Sequence, residues 1–235
     1  MQHLVLFDID GTLLSSTSAG RAAIEEAFSE EFGDTGFFRA VRFDGKTDPQ
    51  IVRELYTAAG VPERATSGTI DDVIERYLGH LDRRLRAGLH DVKPLPGVQA
   101  LLTALRARTD VVMGLLTGNV VPGARLKLEA AGIDTGQFRL GAFGSDSAHR
   151  PDLPAVAAAR AESIMGRVPG GRDVIIIGDT PADVTCGAGI LAHAIGVATG
   201  SYSRQELVEA GAMFAFDTLE DTDRVMEAIV CSNSN

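Results

Sequence analysis

Asp173-Val174-Ile175-Ile176-Ile177-Gly178-Asp179-Thr180-Pro181-Ala182-Asp183 sets a β-branched apolar run directly against a helix start. The run suits a strand buried on both faces, as in a parallel sheet. Thr180 suits the cap of the next helix and Pro181 its first turn. Asp179 therefore falls at a strand's C-terminal end and Asp183 in the first helical turn. Sites in open parallel sheets form outside the carboxyl ends of the strands.

Working outward, His3-Leu4-Val5-Leu6-Phe7-Asp8-Ile9-Asp10-Gly11-Thr12-Leu13-Leu14 repeats the pattern. Alternate strand residues share a face, which puts Asp8 and Asp10 together. Asp-Gly-Thr is also good turn chemistry, so the segment reads either as a strand running into a turn or as a paired-carboxylate site. With Asp179 and Asp183, four carboxylates meet at one sheet edge. Such a group needs a positive partner, and oxygen-only ligands suit Mg²⁺.

A third strand end, Asp110-Val111-Val112-Met113-Gly114-Leu115-Leu116, runs into Thr117-Gly118-Asn119. A hydroxyl and two backbone N–H groups there can hold phosphate oxygens, or form an ordinary strand-to-helix turn. Lysine occurs only at Lys46, Lys93 and Lys127, none at a strand end of this type. The candidate fixed cation is Arg150, which follows Phe143-Gly144-Ser145-Asp146-Ser147-Ala148-His149 and precedes Pro151. A solvated pre-helical arginine is the alternative.

Phe-Asp-Ile-Asp-Gly-Thr-Leu, Leu-Thr-Gly-Asn, a basic residue before a helix and Gly-Asp-Thr-Pro-Ala-Asp occur in that order. Together they resemble the four signature motifs of the haloacid dehalogenase (HAD) superfamily of hydrolases, over residues 3 to 200. The phosphoglycolate-phosphatase-like branch is the nearest by motif and cap type. The resemblance implies that Asp8 attacks phosphorus to form an aspartyl-phosphate, while Asp10 serves as acid and then base. It implies Mg²⁺ on the Asp8 carboxylate, the Asp10 carbonyl and Asp179, with Asp183 bound directly or through water. Thr117, Gly118, Asn119 and Arg150 are then the phosphoryl-binding set, with Arg150 where the family more often has lysine.

The chain has 235 residues, 45% hydrophobic and 23% charged, with a net charge of −10. Its basic residues are scattered, which argues against nucleic acid and anionic membrane surfaces. No run approaches the length of a membrane span. The strand-first N-terminus, without a signal peptide, and two unpaired cysteines, Cys186 and Cys231, point to a reduced cytoplasmic protein. The expected partner is a small phosphorylated metabolite, and the expected state a monomer or homodimer.

Periodicity predicts strands near 3–9, 110–116, 138–143, 173–178, 193–198 and 213–217. Helices are predicted near 97–108, 122–131, 153–165, 181–190, 203–210 and 221–230. The expected fold is α/β, a Rossmann-like doubly wound parallel sheet with an inserted α-helical cap. Residues 1–14 and 95–235 would form the core. Residues 15–94 would form the cap, with helices near 19–32, 49–59 and 69–87. Its linkers are read at 13–18 and 88–96.

In the cap, Asp44-Gly45-Lys46-Thr47-Asp48-Pro49 offers Lys46 to an anionic substrate, with Thr47 or Asp48 as an alternative helix cap. Phe37-Phe38 is expected between cap and core, and Arg83-Arg84-Leu85-Arg86 on a salt-bridged, solvated face. His149 is expected in solvent, and His80 and His90 without ligand partners. The expected activity is hydrolysis of a small phosphate monoester.

The rivals are a mutase of the β-phosphoglucomutase type, a phosphonate hydrolase using Lys46, a metal-independent dehalogenase and a non-catalytic binding protein. The mutase branch places an arginine shortly after the cap glycine, where this chain has Lys46-Thr47-Asp48. The dehalogenase branch lacks the second motif aspartate, here Asp10.

Overall fold

The computed structural model describes residues 2–16 and 18–231, with backbone alone at 231. The side chain of Cys231 and the tail 232–235, read as frayed, lie outside the described residues, as does part of the 13–18 linker.

Among the described residues, the main sheet has the order β5-β4-β1-β6-β7-β8 and every pairing is parallel. Its strands are β1 (His3–Phe7), β4 (Val111–Thr117), β5 (Leu140–Phe143), β6 (Val174–Gly178), β7 (His193–Val197) and β8 (Phe214–Phe216). Two short strands, β2 (Leu14–Ser15) and β3 (Lys93–Pro94), pair antiparallel at the two ends of the insertion.

The long helices of the insertion are α1 (Ala19–Phe32), α2 (Asp48–Ala58) and α3 (Ser67–Arg86). Those of the core are α4 (Val98–Arg106), α5 (Val121–Ala130), α6 (Leu153–Met165), α7 (Pro181–Cys186), α8 (Arg204–Glu209) and α9 (Thr222–Cys231).

Strand alternation divides the core between two faces. Val5 and Phe7 of β1 pack with Leu101, Leu102 and Leu105 of α4, Leu128 of α5 and Val225 and Ile229 of α9. Leu4 and Leu6 pack with Leu153, Ala157 and Ala161 of α6 and Cys186 of α7. This is the doubly wound α/β arrangement expected from the sequence. It places β1 between β4 and β6, where the connections diverge to opposite sides. The three strands with functional ends are therefore neighbours.

The predicted helix over 181–190 ends early. α7 stops at Cys186, and a 3₁₀ turn follows over Gly187–Ile190. A Cβ on Gly187 would lie 2.7 Å from Ile176 and 2.8 Å from Ala192. The chain needs glycine there to approach the sheet, and glycine weakens a helix.

Phe37 and Phe38 depart from expectation as well. They join Phe28, Phe32, Phe43 and Tyr56 in an aromatic cluster inside the insertion. The inserted helices thus bury a cluster of their own that also takes in Val120 and Leu126 of the main domain. The basic cluster on α3 pairs partly across to α1. Arg84 meets Glu26, while His80 is buried between Glu26 and Glu30. His149 lies exposed beside Asp152.

Candidate active site

β1 delivers Asp8 at its C-terminal end, where the Asp8 N–H still donates to Ile177 O at 3.0 Å. The chain then turns back on itself, with the N–H groups of Leu13 and Leu14 donating to Ile9 O. Gly11 holds φ +79°, and a Cβ there would sit 2.4 Å from Asp179 Oδ2, so only glycine fits. Thr12 Oγ1 donates to Asp179 Oδ1 at 3.2 Å, tying the first motif to the last.

On the other side of β1, β6 ends at Gly178 and presents Asp179. Thr180 and Asp183 form a capping box on α7: Asp183 N–H donates to Thr180 Oγ1, while Thr180 N–H and Oγ1 donate to Asp183 Oδ2 at 3.0 and 2.6 Å. Asp8, Asp179 and Asp183 are all buried, and each offers an oxygen within 4.8 Å of the others.

Arg150 lies between them. Its Nη2 donates to Asp8 Oδ1 at 3.0 Å and to Asp183 Oδ1. Burial pushes the Asp8 carboxyl up to about 7, with Asp183 adding repulsion that Arg150 only partly offsets. Asp179 is held well above its ordinary value by burial and by the charges of Asp183 and Asp8. One guanidinium does not balance three carboxylates. An all-oxygen, buried, under-compensated cluster is the chemistry that fits a hard divalent cation.

In metal-free protein, folded Asp8 keeps its proton up to about 7, whereas the unfolded chain releases it near 3.8. Asp48, raised by burial to about 6, acts in the same direction. The folded state binds more protons across that window, so its stability falls as pH rises through it. The melting temperature in chelator should therefore drop between about pH 5 and about pH 7.5, and Mg²⁺ should raise it more at the higher pH. An equal Mg²⁺ shift at both values would contradict this account.

The third strand end supplies the remaining groups. Thr117 is fully buried, and its Oγ1 accepts from Asn119 Nδ2 at 2.8 Å, leaving its own proton for another acceptor. A Cβ on Gly118 would lie 2.0 Å from Lys46 O, so the cap loop presses against this turn. Asp48 N–H donates to Gly118 O at 2.8 Å, and Asp48 Oδ2 accepts from Val120 N–H at 2.8 Å. Thr47 caps α2 by accepting from Gln50 N–H, and its Oγ1 donates to Ala148 O at 2.8 Å. Thr47 and Asp48 thus fasten the cap loop to the loops after β4 and β5.

Lys46, read as a substrate ligand, lines the cavity but pairs its ammonium with Glu54. The cavity measures about 480 Å³ and is bounded by Asp8, Asp10, Thr117, Arg150 and Asp179 below and by Arg21, Arg39 and Arg42 at the cap. Arg21 is pinned to Phe38 O at 2.8 Å and lies 4.5 Å over the Phe43 ring.

Asp8 and Asp10 have different partners among the protein's own cations: Asp8 meets Arg150, while Asp10 meets Lys127, whose Nζ lies 2.6 Å from Asp10 Oδ2. Burial opposes the charged form of Asp10, but Lys127, Asn119 and Ser16 outweigh it and hold the carboxyl below its ordinary value. Lys127 sits nearly two turns into α5, away from any strand end. The signal was its spacing: it follows Ala124 by three residues and precedes Ala131 by four, on the buried stripe of that helix.

Residues 3–190 match the family model described as haloacid dehalogenase-like hydrolase. Phosphoglycolate phosphatase of Rhodospirillum rubrum is 27% identical over 221 residues, spanning 92% of this chain and 88% of that protein. A hydrolase from Pseudomonas syringae shares the fold with a TM-score of 0.73 and 23% identity, covering 97% of this chain and 99% of the other. A candidate β-phosphoglucomutase from Bacteroides vulgatus does so with a TM-score of 0.70 and 19% identity, covering 100% and 91%. No described helix is long and apolar enough to cross a membrane.

Proposed function

The chain belongs to the haloacid dehalogenase-like hydrolase family, and from that premise we propose a Mg²⁺-dependent phosphatase of small phosphorylated metabolites, phosphoglycolate-phosphatase-like in kind. The observation that carries the reading is the convergence of Asp8, Asp179 and Asp183 around one buried point with Arg150 among them. In the proposed reaction an Asp8 oxygen attacks phosphorus, the ester P–O bond breaks, and Asp10, which first takes up a proton because Lys127 favours its ionised form, gives that proton to the departing oxygen. Asp10 then takes a proton from the water that hydrolyses the aspartyl-phosphate.

Mg²⁺ would be held by the Asp8 carboxylate, the Asp10 carbonyl and Asp179, with Asp183 near, and would neutralise charge on the phosphoryl group. The Thr117 hydroxyl, the Gly118 and Asn119 amides and Arg150 would bind phosphoryl oxygens. Residues 15–94 would act as a cap that excludes water, with β2 and β3 as its paired hinge strands. Arg21, Arg39 and Arg42 line the cavity from the cap, Asp44 offsetting Arg42, and the remaining positive charge suits a small anion.

Two rivals lose support from particular contacts. A Schiff-base lysine needs a neutral amine. Lys46 is ion-paired with Glu54, and the Lys127 ammonium, despite burial, is favoured by Asp10 and Asp48. The β-phosphoglucomutase branch places an arginine shortly after the cap glycine, and there this chain has Lys46, followed by Thr47 and Asp48, both committed to core loops.

A phosphate-release screen over small phosphorylated metabolites should show turnover that stops in chelator and returns with Mg²⁺. Sugar-phosphate isomerisation run alongside should be undetectable. Full turnover in chelator, or isomerisation faster than phosphate release, would overturn the proposal.

A further inference from the structure

Lys127 is buried to 5% exposure and spends two of its three donors inside the site. One goes to Asp10 Oδ2 at 2.6 Å and one to Asn119 Oδ1 at 2.7 Å. Asn119 Nδ2 returns to the same Asp10 Oδ2 at 2.8 Å, closing a triangle of three side chains. Asp10 Oδ1 is placed differently: among the described residues it accepts from Ser16 Oγ at 2.8 Å.

The two oxygens of Asp10 are therefore not equivalent. Oδ2 already faces an ammonium and an amide N–H, so a proton there would meet two donors. Oδ1 faces a hydroxyl, which can rotate and become an acceptor. The position of the ammonium is fixed from above as well. A Cβ on Gly20 of α1 would lie 3.2 Å from Nζ, and 3.7 Å from the Tyr77 hydroxyl of α3. An apolar side chain would fill this slot on α5 without the cost of burying a charge.

We propose that Lys127 is a positioning residue for Asp10, anchoring Oδ2 so that Oδ1 alone carries the transferable proton toward the leaving oxygen. The claim rests on the phosphatase reading above. It assigns Lys127 no contact with substrate and no step of proton transfer. Its effect should therefore appear only where the leaving group needs a proton, and as a loss of orientation alone, since the ammonium itself favours the ionised form of Asp10 and its removal eases protonation.

The test compares kcat/KM for β-glycerol phosphate, an alkyl ester, with that for 4-nitrophenyl phosphate, whose phenolate leaves with little help. Wild type, Lys127→Met, Lys127→Gln and Asp10→Asn are measured in saturating Mg²⁺. Lys127→Met should lose about 100-fold or more on the alkyl ester and less than about 10-fold on the aryl ester, the pattern of lost general-acid assistance. Lys127→Gln, which keeps a donor without the charge, should lie between wild type and Met. Asp10→Asn should show the same selectivity more strongly.

The ratio of the two substrates is taken within one preparation, so a reduced folded fraction cancels. Should Lys127→Met fail to fold, the same ratio is read from Lys127→Gln. Equal losses on both esters, or an unchanged ratio, would overturn the positioning role while wild-type turnover leaves the phosphatase reading standing. Absence of phosphate release from either ester by wild type would instead overturn that reading, and this role with it.

Discussion

Asp8→Asn should lower turnover by at least about 10⁴-fold while leaving the fold in place. The amide has nearly the same shape but is a very poor nucleophile, so the covalent step loses its attacking atom. The fold should survive because the carboxylate is a burden in the metal-free protein: burial and Asp183 push its pKa up to about 7. Removing that charge relieves repulsion at neutral pH, so the melting temperature of Asp8→Asn in chelator should equal or exceed that of wild type. Circular dichroism with thermal unfolding and a phosphate-release assay read both effects. Turnover within a few-fold of wild type would remove Asp8 from the nucleophile role.

Arg150→Met should be the most damaging change to stability within the site. Arg150 is buried between Asp8 and Asp183, and removing one partner of a buried ion pair costs about 3–5 kcal/mol. Turnover should fall about 10²- to 10³-fold as well, since a fixed cation beside the nucleophile is lost. Arg150→Lys is the informative counterpart. Both ion-pair contacts of Arg150 run through Nη2, so the guanidinium is used as a point charge rather than a two-pronged fork. A lysine ammonium placed there could make the same pair of contacts. Arg150→Lys should therefore retain turnover within about 10-fold and recover most of the lost stability. Urea unfolding and steady-state kinetics on both variants check this. Equal damage from Lys and Met would show that guanidinium geometry is required.

What could be read in the sequence was whatever a strand end imposes locally. The run Val174–Gly178 is apolar because both faces of a central parallel strand are covered, and Thr180-Pro181 is cap chemistry wherever it occurs. The sheet edge shared by Asp8, Thr117 and Asp179 follows from that logic with no further information.

Contacts decided by the insertion were not legible in the same way. Lys46 appeared as a free cation beside a flexible glycine, but its partner, Glu54, lies eight residues on and meets it only once α2 has formed. Phe37 and Phe38 were apolar beyond doubt. Which core they joined depended on Phe28, Phe32 and Tyr56 from two other helices. Lys127 was hidden by its own helix, because a lysine in a helix ordinarily reaches solvent. Its burial follows from the cap helices lying over α5, with Gly20 and Tyr77 above the ammonium.

The most direct test of the central claim is to capture phosphoryl transfer to Asp8. With Asp10→Asn and an activated aryl phosphate in Mg²⁺, attack by Asp8 proceeds while the water step lacks its base. Rapid acid quench followed by intact-mass and peptide mass spectrometry should show one phosphoryl group per chain, carried on Asp8, together with a burst of phenolate of matching size. Phenolate released in a burst with no phosphoryl group on the protein, or a phosphoryl group on any other residue, would contradict the account.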